Sequence, residues 1–157
     1  MFLDGYIIGQ PDANICLLER RFDAASIVLN NTTLWVVGGE VQYGHNLHLK
    51  SSEFIFIDQP PIEGPDLPFS ISGHCMVQYD KSTIFIIGGV QDKTTSKNTW
   101  IVNPNDFQLR KGPALNIARS GHSCGTMILN GKKVIVAGKI FLCDLSRKII
   151  NSIKQII

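Results

Sequence analysis

An all-β fold built from repeated four-stranded antiparallel units is predicted by three recurrences in this 157-residue chain. A hydrophobic strand closes on Gly38-Gly39 and again on Gly88-Gly89, and Val136-Ala137-Gly138 repeats the pattern with one glycine lost. Gly64-Pro65 recurs at Gly112-Pro113, and Gly73-His74 at Gly121-His122. From 38 to 88 is 50 residues; from 64 to 112 and from 73 to 121 is 48. A period of this size marks a repeat architecture, in which each unit buries its apolar face only against its neighbours.

Each unit reads strand, tight turn, strand, long loop, strand, turn, short strand, the order of one four-stranded propeller blade. The first hairpin is expected from residues 25–29 and 34–37 across a turn at 30–33, and the second from 75–79 and 84–87 across 80–83. The third comes from 123–129 and 133–137, turning at Asn130-Gly131, a dipeptide that tolerates the positive φ of a type I′ turn. Leu34-Trp35-Val36-Val37 and Ile84-Phe85-Ile86-Ile87 are apolar on consecutive residues, so both faces of these strands must be covered, as stacked blades would cover them. The glycines after them, Gly38, Gly39, Gly88, Gly89 and Gly138, are read as structural. They turn the chain where φ is positive or a side chain would clash, and nothing around them has the strand-loop-helix setting of a phosphate-binding motif.

Five landmarks at one period resemble the kelch repeat: Gly64-Pro65-Asp66-Leu67-Pro68, Ile71-Ser72-Gly73-His74, Ile84 to Gly89, Gly112-Pro113, and Ala118-Arg119-Ser120-Gly121-His122. The resemblance covers about residues 21 to 138. It departs from the family where a tryptophan usually precedes the Gly-Pro turn, since Pro61 and Leu109 hold those places and Trp35 and Trp100 lie in strands. The resemblance implies an incomplete kelch-type β-propeller. Residues 1–20 would be the remnant of a preceding blade, 21–73 one blade, 74–121 a second and 122–138 the inner hairpin of a truncated third.

Kelch propellers close with more blades than about 50 residues per repeat allows here, so the ring is not expected to close on this chain alone. Its open blade faces would meet another copy or be completed by other chains, or the sequence is a piece or short product of a longer gene. The last is the expectation, because Met1 leads straight into apparent mid-blade sequence. Residues 139–157 have no counterpart in the first two repeats. Leu142, Leu145, Ile149, Ile153 and Ile156 recur there at intervals of three and four, which predicts a short C-terminal amphipathic helix with Asp144 as its cap.

Fifteen Lys and Arg against thirteen Asp and Glu give a net charge of +2, scattered rather than clustered, so no nucleic-acid surface is implied. The N-terminus lacks a basic stretch followed by a long apolar core, and no run approaches membrane-spanning length. No membrane partner is expected; the compartment is not specified, and the missing signal favours an intracellular one. Cys16, Cys75, Cys124 and Cys143 are too few and too irregular for a disulfide framework, so Cys75 and Cys124, just after the Gly-His landmarks, are expected to be buried free thiols.

No catalytic group is expected. His45 and His48 share the loop of residues 40–50 without further ligands nearby, so no metal and no cofactor are predicted. His74 and His122 repeat with the fold and are expected to make structural hydrogen bonds. Galactose-oxidase-like enzymes also use kelch propellers, with a copper site of tyrosines and histidines from different blades. Tyr6, Tyr43 and Tyr79 show no cysteine-linked pattern of that kind.

The expected activity is non-enzymatic protein-protein interaction, because a rigid stack of sheets holds variable loops in place at little ordering cost. The loops concerned are residues 40–50 and 90–97, between second and third strands, and 66–72 and 114–120, between blades. In kelch proteins these two sets share one mouth and grip peptide or protein partners. By that resemblance Arg119 and Ser120 match the place where substrate-receptor kelch domains present an arginine to acidic peptide groups, and Tyr43 and His45 lie on the facing loop. Ile71 replaces the arginine one repeat earlier. Alternatives are the substrate-recognition part of a ubiquitin ligase adaptor, an actin-binding scaffold, a copper oxidase-like enzyme, a truncated product without function, and self-association through the open blade faces.

Overall fold

A computed structural model describes residues 16–42, 47–57 and 59–138. These form antiparallel sheets without any helix, and no sheet closes on itself. The first sheet orders β1 (Ala25–Asn30), β2 (Thr33–Val37), β3 (Ser52–Phe56) and β4 (Ile62–Glu63) as they come along the chain. After the two-residue β5 (Ile71–Ser72), the second sheet runs β6 (Cys75–Asp80), β7 (Thr83–Ile87), β10 (Thr99–Val102), β11 (Leu109–Lys111). Between β7 and β10 lie β8 (Val90–Gln91) and β9 (Thr94–Thr95), and a last hairpin pairs β12 (Ser123–Leu129) with β13 (Lys132–Gly138). The C-terminal helix expected from residues 139–157 lies outside the described residues, as do residues 1–15 of the blade remnant expected from residues 1–20; its residues 16–20 are described and form no strand.

Turn chemistry sets each hairpin. In the first two, the register shifts after Val28 and after Gln78, and an Asx side chain closes the turn: Asn30 Oδ1 accepts from Thr32 N at 2.9 Å, and Asp80 Oδ1 from Ser82 N at 2.9 Å. The third instead makes a two-residue turn with φ of 49° at Asn130 and 75° at Gly131, as a type I′ turn requires. Its strands are longer in consequence.

The sheets stack with their first strands side by side, β1 beside β6 and β6 beside β12. Period-2 alternation then sends the continuous apolar run of β7 to two cores. Ile84 and Ile86 join Trp35, Val37, Ile71 and Val102 between the first and second sheets. Ile87 joins Leu115, Ile135 and Ala137 between the second sheet and the last hairpin, with Phe85 and Tyr79 packed alongside. Aromatic contacts thicken the first core: the Phe107 ring lies 5.1 Å from that of Trp35, and Phe69 stacks on Trp100 at 4.8 Å.

The loop expected at residues 90–97 is structured. β8 pairs with β9 and, on its other side, with β5 from the connection between the two large sheets. A loop of one sheet is thereby clamped to the segment leading into it.

Candidate functional site, a loop platform at the glycine-rich rim

The strands β2 and β7 end together at one rim. Gly88 has φ of +62°, and a Cβ there would stand 2.7 Å from the Arg119 carbonyl and 2.9 Å from the His122 ring, so only glycine lets the next segment pass so close. Gly89 N donates to that same Arg119 carbonyl at 2.8 Å, and one repeat earlier Gly39 N donates to the Ile71 carbonyl at 2.8 Å. Gly138 departs from this pattern: it is the last residue of β13 and lacks the positive φ of Gly38, Gly39, Gly88 and Gly89.

Four loops meet at this rim. Ile71 N and Leu67 N donate to the carbonyls of Leu49 and Lys50 at 2.9 and 2.8 Å, binding the first inter-sheet loop to the loop of residues 40–50. Leu115 N and Arg119 N do the same to Lys97 and Ser96, at 2.7 and 3.2 Å. Asp92 crosses between the sets, since its Oδ1 accepts from Ser70 N and Ser70 Oγ, both at 3.1 Å, while its own N–H donates to the Ser70 carbonyl. The platform is therefore hydrogen-bonded across both repeats. It displays exposed apolar side chains that the sequence did not single out: Val41, Leu47 and Ile117, the last 61 % exposed. Charge brackets them, with Asp92, Lys93 and Lys97 all exposed.

The chain's fold is similar to that of a solved fungal alcohol oxidase of the AA5 family, in complex with copper, with a TM-score of 0.65 at 14% identity. The match covers 79% of this chain and 28% of that one, so the chain spans well under a third of the oxidase's length. At this identity the likeness concerns fold alone. No family model and no curated protein sequence matches the chain.

Arg119, expected to face a partner, is half-buried and engaged from within: Nη1 donates to the Ala137 carbonyl at 3.0 Å and Nε to the Ile117 carbonyl at 3.5 Å. Ser120 lies half-buried beside Gly73. Tyr43 and His45 fall outside the described residues. The side chain of His48, on the loop expected to hold no metal, is buried, with Nδ1 2.9 Å from Ser72 Oγ and 3.4 Å from Glu40 Oε1. That polar cluster fixes the base of the loop of residues 40–50.

Two expectations are corrected here. His74 and His122 do not make hydrogen bonds: all four ring nitrogens are buried without a partner among the described residues. They pack against the glycine pair, Gly89 against the His74 side chain and Gly88 against the His122 ring. Burial, and then the neighbouring His122, pushes His74 down to about 3; burial, and then Arg119, pushes His122 down to about 4. Both imidazoles are neutral at pH 7. Nor are Cys75 and Cys124 free thiols: they form a disulfide between β6 and β12, Cα to Cα 6.0 Å. First strands of successive repeats lie side by side, so residues one period apart become neighbours, and the separation of 49 is that period.

A polar cleft of about 450 Å³ opens between residues 18–21 and β3–β4. Its carboxylates are already committed or face solvent, with Glu53 paired to Arg21 and Asp66 to Lys50. Among the described residues no three of His, Cys, Asp and Glu gather as metal ligands.

Proposed function

We propose that the chain is a non-enzymatic protein-protein interaction module, a partial kelch-type propeller that binds a partner through the loops at its glycine-rich rim. The observation that carries this reading is the platform itself: loops from two successive repeats are tied by Asp92, Ser70, Lys97 and Leu115 into one surface. A surface ordered before binding loses little entropy when a partner docks, and exposed Ile117 and Leu47 offer apolar anchors within a charged surround. Two four-stranded sheets at one period, and the fold likeness to part of a longer protein, support the propeller part of the reading. Substrate recognition for ubiquitin ligation and actin scaffolding are both uses of such a platform. Copper oxidation has the neighbour's chemistry behind it, but no three of His, Cys, Asp and Glu gather among the described residues.

Capture experiments with the purified chain and an Ile117→Asp/Lys93→Glu variant test the proposal. One or more discrete proteins should be retained by the chain and lost with the variant, while both unfold at the same denaturant concentration. Equal retention by both, or none by either, would count against the platform.

A further inference from the structure

We propose that the edge of β13 with no described partner strand receives an extended acidic segment of a partner protein as a third strand, with a carboxylate opposite Ile135 held by Arg119. The proposal rests on the interaction reading above and names a second contact within it.

In the first sheet β2 is paired on both sides, by β1 and β3; in the second β7 is paired by β6 and β10. β13 pairs with β12 alone among the described residues, and no described residue takes up the row of backbone donors and acceptors on its other edge. Such an edge binds extended chains by strand addition.

Arg119 supplies the chemistry of the missing strand, because the first sheet shows what an arginine at this position does. Arg21 donates from Nη1 to the Gly38 carbonyl at the end of β2, at 3.0 Å. It also reaches the third strand: Nη1 to the Ser51 carbonyl at 3.0 Å, Nη2 to Ser51 Oγ at 3.1 Å, and Nε to Glu53 Oε1 at 2.5 Å. Arg119 makes the first of these bonds at the equivalent place, to Ala137, and no ion pair among the described residues satisfies its charge. Glu53 stands opposite Val36. The repeat equates Val36-Val37-Gly38 with Ile135-Val136-Ala137, so the complementary carboxylate belongs opposite Ile135.

The second sheet gives the converse. There Ile71 replaces the arginine, and Trp100, opposite Ile86, replaces the glutamate, so charge and partner vanish together. Arg119 retains the charge, and exposed Lys132 at the other end of β13 adds another. The chain's own residues 139–157 contain one acid, Asp144, among four basic residues. Asp144 would come opposite Ile135 only through a two-residue turn at Lys139-Ile140, which lacks the glycine, asparagine or aspartate that such turns need.

The test uses the full chain and, as probe, a synthetic peptide of residues 50–57, which carries Glu53 in a natural third-strand sequence. Binding should slow amide exchange along β13, and Glu53→Gln in the peptide should weaken it at least about tenfold, as expected for loss of a charge-assisted pair. Arg119→Gln should weaken the native peptide similarly and the Gln peptide little further. Equal affinity of both peptides would overturn the proposal, and so would β13 amides as protected in the unliganded chain as those of β7, since residues 139–157 would then hold the edge. Equal partner capture by the chain and the Ile117→Asp/Lys93→Glu variant, with Glu53-dependent peptide binding intact, would sink the platform alone; capture lost in that variant while the two peptides bind equally would sink this strand site alone.

Discussion

Arg21 and Glu53 meet across the end of the first sheet as a buried ion pair, Nε to Oε1 2.5 Å, with the two side chains 2 % and 1 % exposed. Leu18 N and Glu19 N donate to the remaining carboxylate positions at 2.6 and 3.2 Å. In the second sheet the same two places hold Ile71 and Trp100, and Gly88 O, which would face the missing arginine, accepts from Gln91 Nε2 at 3.3 Å instead. One fold position is thus filled either by a satisfied charge pair or by an apolar pair.

Breaking the pair should therefore be worse than replacing it. Arg21→Ile leaves Glu53 buried without its cation and should destabilise the chain by about 3–5 kcal/mol. Combining it with Glu53→Trp, the second sheet's solution, should recover a measurable part of that loss in a urea titration. A double variant as unstable as the sum of the singles would mean the two positions are independent.

Neutral burial of His74 and His122 gives stability a defined pH dependence. Their folded pKa values lie near 3 and 4, below the ordinary 6.5, so between these limits the unfolded chain binds more protons. The contribution is complete above pH ~6.5 and is lost as pH falls through the range toward 4 and then 3. Melting temperature should decline across that window, and His74→Phe or His122→Phe should flatten the decline, since no described residue hydrogen-bonds either ring. A flat profile from pH 6.5 to 4 would contradict the burial.

The Cys75–Cys124 bridge joins the last hairpin to the second sheet and closes a segment of 49 residues. By the chain-entropy relation for a loop of this size, Cys75→Ser with Cys124→Ser should lower stability by about 4 kcal/mol. Reduction of the unmodified chain should give a comparable loss in the same denaturant assay, while the double serine variant should not respond to reductant.

Gly88→Ala joins two penalties, a positive φ and a Cβ 2.7 Å from the Arg119 carbonyl. A loss of about 2 kcal/mol or more is expected, beyond the about 1 kcal/mol of backbone strain alone. Because the clash falls on Arg119, whose N–H ties the inter-sheet loop to the Ser96 carbonyl, the variant should also lose partner capture before it unfolds. Wild-type stability in this variant would mean the rim is not packed as described.

The hairpins were legible because their signals are local: period-2 apolar runs, Asx turns at Asn30 and Asp80, and Asn130-Gly131. β5, β8 and β9 were not, since two-residue strands exist only where Ser72 meets Val90 across the fold. The disulfide left a usable sign in the sequence, the match between the cysteine spacing of 49 and the repeat period, but a count of cysteines looks past it. The Arg21–Glu53 pair left another, the joint change to Ile71 and Trp100. For the site, Arg119 was found but its engagement with Ala137 was not, because that contact forms only when β13 runs beside the loop. Ile117 carried no sequence signal, as an isoleucine is exposed or buried by its neighbours and not by its identity.

Photo-crosslinking addresses the central claim most directly. A photoreactive residue placed at Ile117 on the platform, and as control at Ser82 at the other end of β7, is activated in the presence of the chain's native cellular proteins. Discrete crosslinked partners from position 117 and none from position 82 is the predicted result. No adduct from position 117, or the same adducts from both positions, would contradict a partner-binding rim.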